Sequence, residues 1–563
     1  MAIPSLIIGD ENWATKETSL LGYFEGTDGS IVPKIMTWGR ASSGTAINAD
    51  GLVEAVDYNL SPNSEDFTVW GGSGVVDPNV TTAPNGELAA SSIYASNTSN
   101  NRAQVSPALL PSTQYTVSCY VKDRGDDIAS VWFYSVETSF VKIKFTFSTE
   151  TISNSGTAED SSGFDTLDDG WYRVYFVFTT DTVVTSPQIQ LNRGVAAITT
   201  YYWGAQLVKG TTEKSYLATT DRLDIPRIDF SDSSRGALLL EPQRTNLVLY
   251  SGDLSAANWV KTGAGTGSNA IATANYSTSP DGTVNASRLQ LDLNGGTSAG
   301  DISYTSQSVA GTGVMSSFYL KSNNGTVVIY IRVGGVISAV TVTTSWQRFE
   351  VENAGAITLI QIGLRGNNYG GETNSDVADI LVYGVQSEVG SYATSPIPTQ
   401  GTTVTRLADT GTNCGDASDF NSEEGALLVE MAALFDDGAT KRYLSINDGS
   451  TNNRVYIRYD ATSNNILANI TASGVTQAVL NTAVYTVTDF HKILVRWKLN
   501  DFALWVDGTE VDTDASGSVS AAGTLNTFSY DRGDGVEPLH GYCKLVANFK
   551  GELTDAECQA LTT

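Results

Sequence analysis

The sequence predicts an all-β chain of tandem β-sandwiches. Apolar–polar alternation over short runs dominates it, one block of such runs occurs twice, and amphipathic helices are nearly absent. Alternation marks half-buried strands, because successive side chains on a strand point to opposite faces. Tyr115-Thr-Val-Ser-Cys-Tyr-Val-Lys122, Phe140-Val-Lys-Ile-Lys-Phe-Thr-Phe147 and Trp171-Tyr-Arg-Val-Tyr-Phe-Val-Phe178 read this way in the first block. Ser316-Ser-Phe-Tyr-Leu-Lys321, Val327-Val-Ile-Tyr-Ile-Arg-Val333 and Phe349-Glu-Val351 do so in the second. Clusters of Gly, Asn, Ser, Asp and Thr between them supply turns. Many short strands broken by turns fit jelly rolls.

The repeat sets the domain plan. Asn59-Leu-Ser-Pro-Asn with Trp70, Ala83-Pro-Asn-Gly86, Tyr120-Val-Lys122, Gly170-Trp-Tyr-Arg-Val174 and Tyr202-Trp-Gly-Ala-Gln206 form one set. Asn246-Leu-Val-Leu-Tyr with Trp259, Ser279-Pro-Asp-Gly282, Tyr319-Leu-Lys321, Ser345-Trp-Gln-Arg-Phe349 and Val382-Tyr-Gly-Val-Gln386 form the other. This spacing means tandem domains rather than a solenoid, whose repeats are roughly 20–50 residues long. In order, residues 1–57 are a short N-terminal anchoring region and 58–217 the first jelly roll. Residues 218–242 are a linker junction, 243–400 the second jelly roll, 401–423 a linker and 424–563 a third sandwich. Domains usually hold roughly 100–200 residues, which suits three. The anchoring role rests on position, since the rest reads as display domains.

The third unit opens on Gly425-Ala-Leu-Leu-Val-Glu-Met-Ala-Ala-Leu434. It ends on a Phe502-Ala-Leu-Trp-Val-Asp-Gly-Thr-Glu-Val511 hairpin, where Asp507-Gly508 suits a tight turn, and on Lys550-Gly-Glu-Leu-Thr-Asp-Ala-Glu557. This order resembles the concanavalin-A-like or laminin-G-like sandwich. Thr554 and Glu557 read as a capping box for a short C-terminal helix.

Arg222-Leu-Asp-Ile-Pro-Arg-Ile-Asp-Phe230, Gly236-Ala-Leu-Leu-Leu-Glu-Pro-Gln-Arg-Thr-Asn-Leu247 and the upstream Gly39-Arg-Ala-Ser-Ser-Gly-Thr-Ala-Ile-Asn-Ala-Asp-Gly-Leu-Val-Glu54 carry a second resemblance. They look like a junction of tailed-bacteriophage virion proteins that precedes carbohydrate-binding-module-like jelly rolls. Arg406-Leu-Ala-Asp409 and Gly425-Ala-Leu-Leu-Val-Glu430 echo it. The chain departs from the family by placing a whole jelly roll between halves that normally lie close together.

Composition excludes several classes. Net charge is −28, from 33 basic and 61 acidic residues, which argues against a nucleic-acid partner. No apolar run is long enough to insert into a membrane, and the N-terminus lacks the features of a signal peptide. The four cysteines form no CxxC pair and no zinc spacing. No nucleophile elbow, HExxH or phosphate loop appears, and His491 and His540 read as structural or surface residues. The nearest carboxylate set, Glu510-Val-Asp-Thr-Asp514, follows a tight turn and reads as a solvated edge. No cofactor is expected, although the Asp-rich loops at 160–169, 376–379 and 531–534 leave a structural calcium open.

Tryptophans common to both copies (Trp70/Trp259, Trp171/Trp346) read as core. Aromatics peculiar to the first copy are the ligand candidates, aligned roughly as Trp132-Phe133-Tyr134 against Ile329-Tyr330-Ile331 and Tyr201-Tyr202-Trp203 against Leu381-Val382-Tyr383. Trp132, Tyr134, Tyr201, Tyr202 and Trp203 would stack on sugar rings, and Gln190, Asn192 and Arg193 would add hydrogen bonds. The expected function is a non-enzymatic virion protein, a tail or head fibre, spike or capsid decoration. It would bind host-surface or environmental glycans and contact other virion proteins. It would be made in the host cytoplasm and released by lysis. The fibres it resembles are commonly trimers, so a homo-oligomer is expected. The alternatives are a particle-stabilising protein without sugar binding, a glycan-degrading enzyme on the concanavalin-like fold, and a secreted adhesin.

Overall fold

The computed structural model describes residues 3–9, 14–16, 19–25, 31–40, 42–56, 59–95, 103–107, 109, 113–135, 140–156, 159–181, 183–192, 198–211, 213, 216–219, 226–367 and 369–563. The chain is nearly all strand and divides into two compact units. One holds residues 57–225 with 16–18, and the other holds the remainder. The short C-terminal helix Asp555–Thr562 carries the expected Thr554–Glu557 capping box.

Residues 57–225 fold as a jelly roll of two six-stranded sheets. One pairs Gln114–Lys122 between Trp171–Thr179 and Ile198–Lys209, and the other pairs Ile128–Tyr134 between Phe140–Thr146 and Gln188–Leu191. Alternation does the sorting. Ala129, Val131 and Phe133 enter the core with Val117, Cys119, Phe176 and Leu207, while the intervening residues face out. Phe133 stacks on Phe178 with centroids 3.9 Å apart. Each such side chain, fully buried, stabilises the fold by about 1.5–3 kcal/mol. Cys119 lies among them, and burial pushes its thiol far above the ordinary range.

The second jelly roll repeats this plan in one eight-stranded sheet, because Ile302–Ser322 and Gln347–Arg365 are long and irregular near Ser308–Val314, so their halves pair with different neighbours. The sequence repeat proves to be a repeat of buried polar wiring. Asn59 donates to the carbonyls of Ala205 and Leu217 and accepts from the amides of Ser61 and Leu207. Asn246 does the same with Val385, Ile397, Val248 and Ser387. Gln206 and Gln386 each cap the amide of a returning segment, at Leu217 and Ile397. Ala83-Pro-Asn-Gly86 and Ser279-Pro-Asp-Gly282 form matching turns, with the glycine at φ 84° and 77° and its amide bonded to the first carbonyl. Gly204 and Gly384, at φ 60° and 58°, sit where the register shifts, and a Cβ on Gly204 would lie 2.9 Å from the Tyr120 ring. The wiring joins the entering segment, the last strand and the exit, which is why these residues recur. Trp70, Trp259 and Trp171 are buried as expected, whereas Trp346 is only half-buried.

The C-terminal sandwich places a five-stranded sheet against a twelve-stranded one around a core that includes Leu427, Ile446, Ile457, Trp497, Phe528 and Val546. The Asp507-Gly508 hairpin turn forms with φ 48° and 77°. The larger sheet does not stop at the expected boundary. Leu6–Gly9 pairs with Gly541–Phe549, Ser19–Glu25 and Ile31–Gly39 extend it, and Thr410–Thr412 closes that edge. Ala237–Leu240, an entirely buried apolar run, pairs with Gly541–Cys543 on the same side as Leu6–Gly9, the other side being taken by Glu424–Ala433. Segments read from the sequence as an anchoring region and linkers are thus sheet strands, with Leu6, Ile8, Met36 and Trp38 in the sandwich core.

The family-like junction has a physical centre. Arg40, Arg227, Arg406, Glu241 and Asp409 are all buried together. Arg227 pairs with both Glu241 and Asp409, Arg40 reaches Asp409 at 2.8 Å, and Arg406 reaches Glu241 at 2.8 Å. Ser395 accepts from both Arg227 and Arg406 at 2.8 Å and donates to Glu241. Burial alone would raise the Glu241 carboxyl; the Arg406 and Arg227 guanidiniums and Ser395 outweigh it and hold the group at about 2. Asp229 accepts from the Ile47 amide, and the Phe230 amide donates to the Ile47 carbonyl. The two halves of the junction therefore lie side by side, and the first jelly roll is inserted between them in sequence.

Candidate functional site

The candidate residues separate by strand parity. Trp132 and Tyr134 face outward from Ile128–Tyr134, because Val131 and Phe133 face the core. Trp132 stands opposite Gln190 on one side and Lys142 on the other, and Tyr134 stands opposite Gln188. The Lys142 ammonium lies 4.7 Å from the Trp132 ring centroid, and the indole nitrogen donates to Ser130 at 2.9 Å. These contacts fix the half-buried indole in place. Gln190 is 0% exposed and donates to Gln188 at 2.5 Å, so it orients Gln188 rather than meeting a ligand. The outer face thus offers an aromatic ring, an ammonium and an amide within neighbouring strands, a combination suited to a sugar ring and its hydroxyls.

The other candidates are elsewhere. Tyr202 is buried in the core, its hydroxyl accepting from the Ser130 amide at 3.0 Å, and burial drives its pKa far up. Asn192 is equally buried and donates to the Ile93 carbonyl at 2.7 Å. Trp203 lies on the outside of the opposite sheet, beneath a second aromatic layer of Tyr120, Trp171 and Tyr216, with Tyr216 4.6 Å from it. Burial removes these three from any ligand surface. Tyr201 faces the same side and is half-buried, with the Arg124 guanidinium 5.6 Å over its ring. Arg193 lies outside the described residues.

The aromatic layer carries a group that no motif or spacing singles out. Glu213 is 3.9 Å from Arg173, yet its carboxyl is raised to about 7, first by burial and then by the neighbouring Asp165. The second copy has the same arginine, Arg348, 5.5 Å over Tyr319 and donating instead to the Thr394 carbonyl at 2.6 Å.

His491 has both ring nitrogens engaged, by Asp507 at 2.6 Å and the Thr486 carbonyl at 3.0 Å. His540 is buried, and desolvation with nearby Arg442 lowers it to about 4. Glu510 is exposed on an edge strand, and Asp512 accepts from the Asn481 amide at 2.9 Å. Among the described residues, no three His, Cys, Asp or Glu side chains gather as a metal-ligand set. Asp379 is committed to Arg288, Asp534 to Arg532, and Asp531 to the Gly533 amide.

Comparison with protein-family models and with curated proteins finds no match. Solved structures similar to this chain include two tandem-domain proteins. The N-terminal CBM22-1-CBM22-2 tandem domain of Xyn10C from Paenibacillus barcinonensis matches 59% of this chain and 97% of its own at 14% identity, with a TM-score of 0.19. Domains LG4-5 of the mouse laminin alpha1 chain match 53% and 96% at 11% identity, with a TM-score of 0.18. TM-scores this low carry no argument, and the sandwiches are read from the chain's own strands and cores.

Proposed function

We propose that this chain is a non-enzymatic structural protein of a tailed-phage particle that displays its sandwiches outward and attaches to glycans through the Trp132 face of the first jelly roll. The observation that carries the glycan reading is the fixed indole of Trp132, with the Lys142 ammonium 4.7 Å over it and Gln188 oriented alongside by Gln190. The phage reading is supported by the junction resemblance, whose residues converge on one buried ion cluster. Attachment would be weak at each site and strengthened by copies of the chain, as a homo-oligomer held by other virion proteins. No cofactor and no membrane enter the mechanism.

An array of host-surface glycans probed with the full chain tests the glycan reading. Wild type binds a subset, and Trp132→Ala lowers binding to it at least about tenfold, the scale of one aromatic contact. Equal binding by the variant refutes this face. Antibody labelling of intact virions tests the phage reading, and particles without the label refute it.

A further inference from the structure

We propose that the second jelly roll carries its own platform for a neutral saccharide, built on Tyr276, Arg288, Gln290 and Lys321. Asn275 adopts a left-handed φ of 51°, and pairing to the next strand shifts register between Thr273 and Ser277. This bulge turns Tyr276 out of the sheet and leaves it 46% exposed. The Arg288 guanidinium lies 4.8 Å from its ring centroid. That guanidinium is itself fixed, with Nε donating to Asp379 Oδ1 at 2.9 Å and a second bond to Oδ2. Asn323 donates to the same Oδ1 at 2.8 Å. A large exposed ring backed by an immobilised cation loses little freedom when a ligand stacks on it.

Around the ring lie polar groups with capacity to spare. The Tyr276 hydroxyl, the Gln290 amide and the Lys321 ammonium make no hydrogen bond among the described residues. Gln290 stands opposite Asp379, while Arg288 and Lys321 both stand opposite Leu381, which places them on one row two strands apart, about 10 Å. A saccharide matches this set, because it combines an apolar ring face with edge hydroxyls that both donate and accept. Asp379 neutralises Arg288, and the chain's net charge of −28 repels a polyanion, so the platform favours a neutral chain.

The first copy lacks it. Asn79 repeats the bulge at φ 53°, but the residue after it is Val80, and Ser92 corresponds to Arg288. The aromatic platform is therefore a difference between copies rather than shared scaffold.

The proposal rests on glycan attachment as read above, and its test separates the two. The full chain and its Tyr276→Ala, Tyr276→Phe and Trp132→Ala variants are applied to an array of immobilised neutral and acidic glycans. Tyr276→Ala is expected to weaken binding to a set of neutral glycans at least about tenfold, with Tyr276→Phe weakening it less because it keeps the ring and Trp132→Ala retaining that set. Its unfolding midpoint should stay at the wild-type value, because Tyr276 lies outside the core. Wild-type binding by Tyr276→Ala on every glycan overturns the platform while leaving the Trp132 face standing. Silence of the wild-type chain overturns both.

Discussion

At the scale of single residues, the decisive property is which face of a strand a side chain occupies. Trp132 and Gln190 stand opposite one another, while Tyr202, one position from Tyr201, is a core residue. Aromatic identity was legible in the sequence, and parity was legible wherever alternation was clean. Burial of Gln190 and Asn192 was not, because it depends on what the rest of the jelly roll lays over them. The junction shows the converse. Glu241 directly follows the apolar run 237–240, and a charge in such a place is itself a sign of a buried ion pair. Replacing Arg227 with Met leaves Glu241 and Asp409 without it in the interior and should destabilise the larger unit by about 3–5 kcal/mol. Urea unfolding of the variant measures this, and a loss below about 1 kcal/mol would refute a cohesive role for the cluster.

Among elements, the two jelly rolls show how one-residue shifts matter. Val131 and Phe133 face the core as Ile329, Ile331 and Val333 do, so Trp132 shares the parity of Tyr330 and Arg332 and not that of Ile329, as the sequence repeat alone suggests. A slip by one exchanges inner and outer faces, which sequence similarity this faint does not fix. Tyr330 is buried, with Tyr369 4.9 Å from its ring, whereas Trp132 keeps part of its surface. The aromatic layer on the opposite sheet makes a pH-dependent prediction. The Glu213 carboxyl is raised from 4.5 to about 7, so the folded jelly roll keeps a proton that the unfolded chain releases earlier. This contribution to stability is fully present below pH 4.5 and is lost as pH rises through 7. Glu213→Gln should flatten that interval in denaturation followed by tryptophan fluorescence. An unchanged pH profile would assign the slope to other groups.

For the whole molecule, the sequence conveyed the count of sandwiches and their order, because alternation and the repeat are local signals. It did not convey that residues 6–9, 31–39, 227–240 and 410–412 build one sheet with the C-terminal sandwich, since pairing across such separations leaves no local mark. The insertion makes the hierarchy testable. The Val56 amide bonds to the Gly44 carbonyl, and Gly44 packs against Arg227, so both ends of the insertion meet the same spot. A chain in which a short Gly/Ser linker replaces residues 57–225 should fold with the cooperative transition of the larger unit intact. Removal of residues 1–39 should instead lower that transition, since it strips Leu6, Ile8, Met36 and Trp38 from the core. Calorimetry of the two truncations decides, and the opposite ranking would contradict the nesting.

The pairing of Leu6–Gly9 with Gly541–Phe549 also sets a schedule. A ribosome adding about 5–20 residues per second makes the first of these strands roughly half a minute to two minutes before its partner exists. The inserted jelly roll has all its strands long before then and can close on its own. The host strands that flank it must wait with apolar faces uncovered, which makes the interval of synthesis, rather than the finished protein, the stage most exposed to aggregation and most dependent on chaperones.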